Sequence, residues 1–493
     1  MSRAILAFWL AFWLALSLPL GALAQPVVDQ DGAQTLQHDL QAWFAGLLGP
    51  DIGAAAERLR VTAEETHFRV ELPFADARGQ NAIAADVRPL DGGRWGVDTL
   101  HLPADSRFDL QMPEPGGPPG AKVPAHFALH IGTQQGHALI DPALASPSRL
   151  DIDLGNVGLE TDTARQHQEQ HIDRYTVQAT LQPDRGRLDL LELGTIVGWR
   201  SASRVGDRPA VGFGADRLEA SARIDGIDPA HAAALLNAAT GMLATLPPAA
   251  AAQRGNMALS APERAALRAL IGSLRQIVTG VEGQETIDGL HIAVVGWGET
   301  TVRHATLGLS GVAPDGMLRA TLTIGLDGLT VANLPPTAEA LMPHHLTLQP
   351  SVSGVSLAAL TTLALAATDQ APDHTLLDAD TAALWASGGM TFGLDTMDMD
   401  IGPAALHGHG SVRLTGPDEY DAHARITATG LDTLMEQAAG NPKLQQALPL
   451  LAMARGFARP EGDHLVWDIV ANRAGVTVNG VPLRGGPQPP DKP

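Results

Sequence analysis

Along most of this chain apolar and polar side chains take turns. Phe68, Val70, Leu72 and Phe74 recur at every second position, as do Phe127, Leu129 and Ile131, then Leu150, Ile152 and Leu154, then Tyr175, Val177, Ala179 and Leu181, with mostly polar residues between them. The same rhythm returns late, in Met390, Phe392 and Leu394, in Ala422, Ala424, Ile426 and Ala428, and in Leu465, Trp467 and Ile469. Successive side chains of a strand point to opposite faces, so a period of two buries one face and wets the other. That is the habit of antiparallel sheets; parallel strands are greasy on both sides. The expected fold class is therefore mainly β with helical inserts (α+β), built as an elongated curved antiparallel sheet or sheets with packed helices.

Local signals refine this. Asp91-Gly92-Gly93 lies between alternating runs and reads as a hairpin turn. Leu100 and Leu102 fall out of phase with Trp95 and Val97, which predicts a bulge near Asp98. Helical spacing appears at Leu36, Leu40, Trp43, Phe44, Leu47 and Leu48, ahead of the stop at Gly49-Pro50. It also appears over the alanine-rich Pro229 to Leu246, and from Ser260-Ala261-Pro262-Glu263, a capping box, to Val278, with Gly280 as its end. Further helices are expected near Ser356 to Ala367, Asp432 to Ala439 and Leu444 to Ala458. A short echo links Ser221–Gly241 with His423–Gly440, each a strand, a glycine and an aspartate able to cap a helix.

These readings divide the chain. Residues 1–24 form a leader, 25–113 an N-terminal helix and β-meander, 114–124 a Pro/Gly loop, and 125–228 a β region. A helical insert at 229–283 precedes a C-terminal β region with helices at 284–484, and 485–493 is a disordered tail. The leader has Arg3 as its one charge, an apolar run from Ala4 to Leu20, and the small-x-small exit Ala22-Leu23-Ala24. This is the form of a secretory signal peptide, which places the chain in the periplasm or cell envelope. An uncleaved inner-membrane anchor is the alternative.

Composition narrows the partners. A net charge of −21 and only three lysines argue against a phosphate-backbone partner, so no nucleic acid is expected. The absence of cysteine removes disulfides, thiol catalysis and Cys-ligated zinc. With aromatics at 4%, the core must be aliphatic.

The sharpest chemical feature is His167-Gln168-Glu169-Gln170-His171. On a helix two histidines four apart share a face, but the metalloprotease pattern needs Glu directly after the first His. On a strand His167, Glu169 and His171 project to one side, with polar neighbours all round. The favoured reading is an exposed strand end or loop; the alternative is a metal-dependent hydrolase using these three residues. His344-His345 after a proline reads as loop, and His407-Gly408-His409 as a turn. Asp398 and Asp400 alternate with Met397, Met399 and Ile401, like the wet face of a half-buried strand; Asp395 does not complete a calcium loop. Nucleophile-elbow, Walker and dinucleotide motifs are absent from the sequence.

The strongest non-catalytic feature is the group Trp385, Met390, Phe392, Met397 and Met399. Methionine adapts its shape, so these are the candidates for lining a ligand groove; ordinary core filling is the bland alternative.

The serial strands, the strand-Gly-Leu-Asp-helix unit of Ala424 to Ala439, and the closing hairpin with "VTVNGVPL" resemble alphaproteobacterial β-rich envelope families of unknown function, AsmA-like and YdgA-like in style. The likeness covers roughly Thr301 to Leu483 and rests on layout. It implies a long curved sheet whose concave side carries or shelters lipid, and it transfers no catalytic residue. The expectation is thus a non-enzymatic exported envelope protein, without cofactor, binding lipid or another amphipathic ligand in an apolar groove. The further alternative is a structural module whose strand edges pair with other envelope proteins.

Overall fold

The computed structural model describes residues 27–41, 57–74, 81–113, 122–141, 147–206, 208–228, 279–296, 298–313, 316–334, 342–369, 389–416, 419–440 and 448–485, with parts of 264–271. The leader, the helix expected at Pro229 to Leu246, the capping box at Ser260, Trp385 and the tail beyond Gly485 lie outside them. So do Trp43, Phe44, Leu47, Leu48 and most of the Pro/Gly loop. Strand makes up 73% and helix 15% of what is described. The chain forms two compact units, Met1–Val278 and Thr279–Pro493. In each, the sheet is antiparallel, as the two-residue rhythm implies, and it is curved and unclosed.

In the first unit, helix α1 (residues 30–41) begins where the Asp29 carboxylate accepts the amide of Gly32 at 2.8 Å. A meander follows: β1 (Arg60–Glu64), β2 (His67–Phe74), β3 (Asn81–Pro89), β4 (Trp95–His101), β5 (Asp105–Pro113), β6 (Lys122–Ile140), β7 (Pro147–Thr163), β8 (Gln166–Asp184), β9 (Arg187–Val205) and β10 (Arg208–Ile227). The β3–β4 turn falls at Asp91–Gly93, and the register jumps from Val87↔Val97 to Asp86↔Thr99, leaving Asp98 as the extra residue of the anticipated bulge. The Pro/Gly loop joins two paired strands, since Pro113 of β5 stands opposite Lys122 of β6.

Leu36 and Leu40 of α1 pack on Leu59, Phe68, Trp95, Ile140 and Leu150, all essentially removed from water. Burying a side chain of this size stabilises by roughly 1.5–3 kcal/mol. Gln37 and Gln41 then tie the helix to the backbone of β1 and the turn before it.

The second unit comprises β11 (Gly280–Val294), β12 (Gly298–Val312), β13 (Met317–Val331), β14 (Pro343–Ser356), β15 (Met390–Ile401), β16 (Ala404–Gly416), β17 (Glu419–Thr429), β18 (Arg459–Glu461), β19 (His464–Asn472), β20 (Gly475–Val478) and β21 (Val481–Gly485). Numbering the residues helical among 264–271 as α2, its helices are α3 (Leu357–Asp369), α4 (Leu431–Ala439) and α5 (Leu448–Phe457). Gly280, expected to end a helix, instead opens β11.

Three local expectations are corrected here. His344-His345 belongs to strand β14, not a loop, because Pro343 sits at its first residue, where no ladder amide is needed. His407-Gly408-His409 runs through β16 rather than turning. Asp432 does not cap α4: the cap position is Gly430 in the left-handed region, and the Asp432 carboxylate is held by Arg455 of α5.

Candidate functional site

Directly opposed residues of an antiparallel pair share a face, so the registers show how the second unit's faces are composed. Leu348 of β14 meets Met397 of β15, which meets Gly408 of β16, which meets Ile426 of β17, which meets Trp467 of β19. The next rows run Val352–Phe392–Val412–Ala422–Ala471 and Leu346–Met399–Leu406–Ala428–Leu465. One face is hydrocarbon across five strands. The intervening residues, such as Ser351, Asp398, His407, Arg425 and Asp468, form a polar face on the other side.

A bulge keeps this face continuous. Pairing moves from Leu394↔Gly410 to Met397↔Gly408, so β15 carries one extra residue around Asp395 and Thr396. That insertion resets the phase and brings Met397, three residues beyond Leu394, back to the greasy side.

Helices cover the two ends. Val355, Ala359 and Met390 form a small core in which α3 lies over Leu318, Val352 and Leu414. At the other end Leu431 and Leu434 of α4 and Leu451 of α5 pack on Ala404, Leu406, Leu465 and Trp467. The Trp467 indole donates to the Ala454 carbonyl of α5 at 2.7 Å. Between these caps lies a trough of about 320 Å³. Its floor is low because it is made of Gly408, Gly410, Ala422, Ala424 and Ala471, and its walls are Phe392, Leu394, Met397, Val412, Ile426 and Ile469.

The five groove candidates thus separate. Phe392 and Met397 line the trough, and Phe392 is 45% exposed. Met390 is buried beneath α3. Met399 shares the face one row away, opposite Leu406. Trp385 lies outside the described residues. The glycine and alanine floor went unread in the sequence, although Gly408 and Gly410 in one strand, opposite the small Ala424, were its signal.

His167, Glu169 and His171 lie on β8, at the exposed end of a strand. His167 and Glu169 meet, but His171 does not join them. The His167 ring uses both nitrogens, Nδ1 with Asp162 at 2.5 Å and Nε2 with Glu169 at 2.7 Å, while His171 turns to Asp173 at 3.0 Å. The hydrogen bonds to Glu169 and then Asp162 hold the His167 imidazole above its ordinary pKa, and the same contact holds Glu169 below its own. Both His167 nitrogens are thus engaged by carboxylates rather than turned toward a common point with His171. Among the described residues no group of three or more His, Asp or Glu is arranged to hold a metal ion.

Histidines and aspartates do recur in another arrangement. In both units an Asp of one strand directly faces a His of the next and accepts from its Nδ1: Asp105–His130, Asp109–His126 and Asp162–His167 in the first, Asp288–His304, Asp327–His345 and Asp398–His407 in the second. Elsewhere in the first unit, burial pushes the Glu192 carboxyl up, and burial followed by that neighbouring charge pushes the Tyr175 phenol up.

Comparison with family models, with curated proteins and with solved structures gave no match. The reading of this molecule therefore rests on its own geometry. No helix among the described residues is long and apolar enough to cross a membrane.

Proposed function

We propose that this chain is a non-enzymatic exported envelope protein that shelters the acyl portion of a lipid, or a similarly amphipathic ligand, on the apolar face of its second unit. The observation that carries the reading is the trough: a depression walled by Phe392, Leu394, Met397 and Ile469, floored by glycine and alanine, and bounded by helix-covered sheet at both ends.

Its chemistry favours hydrocarbon over peptide. Strands β15, β16 and β17 are each paired on both sides, so their amides and carbonyls are committed to the ladder. A peptide laid there would bury its own backbone groups without partners, at a cost of roughly 1–3 kcal/mol each. A methylene chain makes no such demand and gains about 0.8 kcal/mol per buried group. Met397 and Met399 can adjust to chains of different curvature. The AsmA-like layout and the leader agree with a lipid-handling role in the envelope.

Native mass spectrometry tests this on the full chain, delipidated and then reloaded with a sixteen-carbon fatty acid. Wild type is expected to retain one or more acyl ligands. Gly408→Leu, whose new side chain points at the movable Met397 methyl, is expected to lose at least about tenfold in loading with its circular dichroism unchanged. Wild type that takes up no lipid after reloading would overturn the proposal.

A further inference from the structure

The polar face of the second unit carries an unbroken line of alternating acid and imidazole. Asp288 of β11 faces His304 of β12, which faces Asp327 of β13, which faces His345 of β14, which faces Asp400 of β15. His304 Nδ1 and His345 Nδ1 each lie 2.6 Å from the carboxylate of the preceding strand. We propose that this row is a proton-operated brace, which tightens the β13–β15 part of the sheet when His345 takes up a proton and loosens it when His345 releases one.

The argument is one of valence. Each imidazole sits between two carboxylates on different strands. For His345, Asp327 accepts from Nδ1 and Asp400 stands opposite in register on the far side, so a neutral ring serves Asp327 alone, whereas an imidazolium carries a charge that attracts both. Without that charge Asp327 and Asp400, two strands apart, repel each other weakly with nothing of opposite sign between them.

The other groups around the row act in the same sense. Asp398 lies diagonal to His345, and the Thr347 hydroxyl oxygen lies 3.3 Å from His345 Nε2, where it can accept from the protonated ring. The hydrogen bond that His345 donates to Asp327, with the charges of Asp327, Asp400 and Asp398, holds His345 above its ordinary value. For a group raised in the folded state, the added stability is fully present below about pH 6.5 and is lost as pH rises through the folded value. The first unit repeats the pattern from Asp109 through His126, Asp162 and His167 to Arg204, where the final residue is a fixed cation.

Hydrogen exchange of the intact chain, corrected for the intrinsic pH dependence of the amide chemistry, reads the brace directly. Amides of β13 to β15 are expected to lose protection severalfold between pH 5.5 and 8. The His345→Gln protein keeps a donor at that position but cannot gain a proton, and it should show no such change. His409→Gln, opposite Arg425, should behave as wild type. Equal pH dependence in wild type and the His345→Gln variant would overturn the proposal. Should that variant not fold, the C2-hydrogen exchange of His345 in wild type decides instead: titration at or below 6.5 refutes the brace, and titration above it supports it.

Discussion

The two units use one rhythm of side chains to opposite effect. In the first, Phe68 is fully buried, and α1 lies over the sheet with Leu36 and Leu40 against it. In the second, Phe392 occupies the same kind of position, one inward residue of an alternating strand, and is 45% exposed; Leu307 and Leu309 of β12 are exposed by about half. Alternation decides which residues share a face. Whether that face becomes a core or a docking surface depends on what lies over it, and on whether its middle is filled by Leu and Trp or hollowed by Gly and Ala.

This contrast makes its largest claim about Phe68. Phe68→Ala leaves a cavity between α1 and Trp95, whose ring centroid is 6.2 Å away, and should cost about 3–5 kcal/mol in denaturant unfolding. Phe392→Ala should cost less than about 1 kcal/mol, as exposed truncations do, while weakening acyl loading. Equal costs at the two positions would break the distinction between a filled face and an open one.

A smaller effect sharpens the same contrast inside the second unit. Leu434 of α4 is buried on Ala404, at one covered end of the apolar face. Leu434→Ala should cost roughly 2–4 kcal/mol and lengthen the exposed stretch toward Leu406. Binding of an apolar fluorescent dye should rise in that variant, where Phe392→Ala would lower it. A fall in both would mean that α4 completes the trough rather than merely bounding it.

The strands were legible from the sequence because period two is a local property. Phe68 to Phe74 and Leu465 to Ile469 needed no knowledge of their partners, and the phase slip at Leu100 located the Asp98 bulge. Register is not local. The pairing of Met397 with Gly408 depends on the insertion near Asp395, so the trough floor could not be assembled from single strands. Nor could the acid–imidazole row, whose five members come from five strands. His345 looked like loop because proline precedes it, and His407 like turn because glycine follows; both are accommodated in long strands whose neighbours supply the ladder. Of the methionines, composition alone could not separate Met390, beneath α3, from Met397, in the open.

The smallest effect concerns the helices that do the covering. The Ser356 hydroxyl accepts the amide of Ala359 at 3.3 Å and caps α3, as Asp29 caps α1. Removing either cap should cost about 1 kcal/mol. The consequences should differ. Leu36 and Leu40 anchor α1 in the first unit's core, so Asp29→Ala should leave the helix docked and show only as a lower unfolding midpoint. Described residues of α3 reach the sheet through Ala359 and Leu363, a lighter attachment. Ser356→Ala should therefore raise exchange of the amides at 357–360 and dye binding beside Met390 before any global unfolding. If both cap variants respond only globally, α3 belongs to the core as firmly as α1 does, and the open face ends where the trough does.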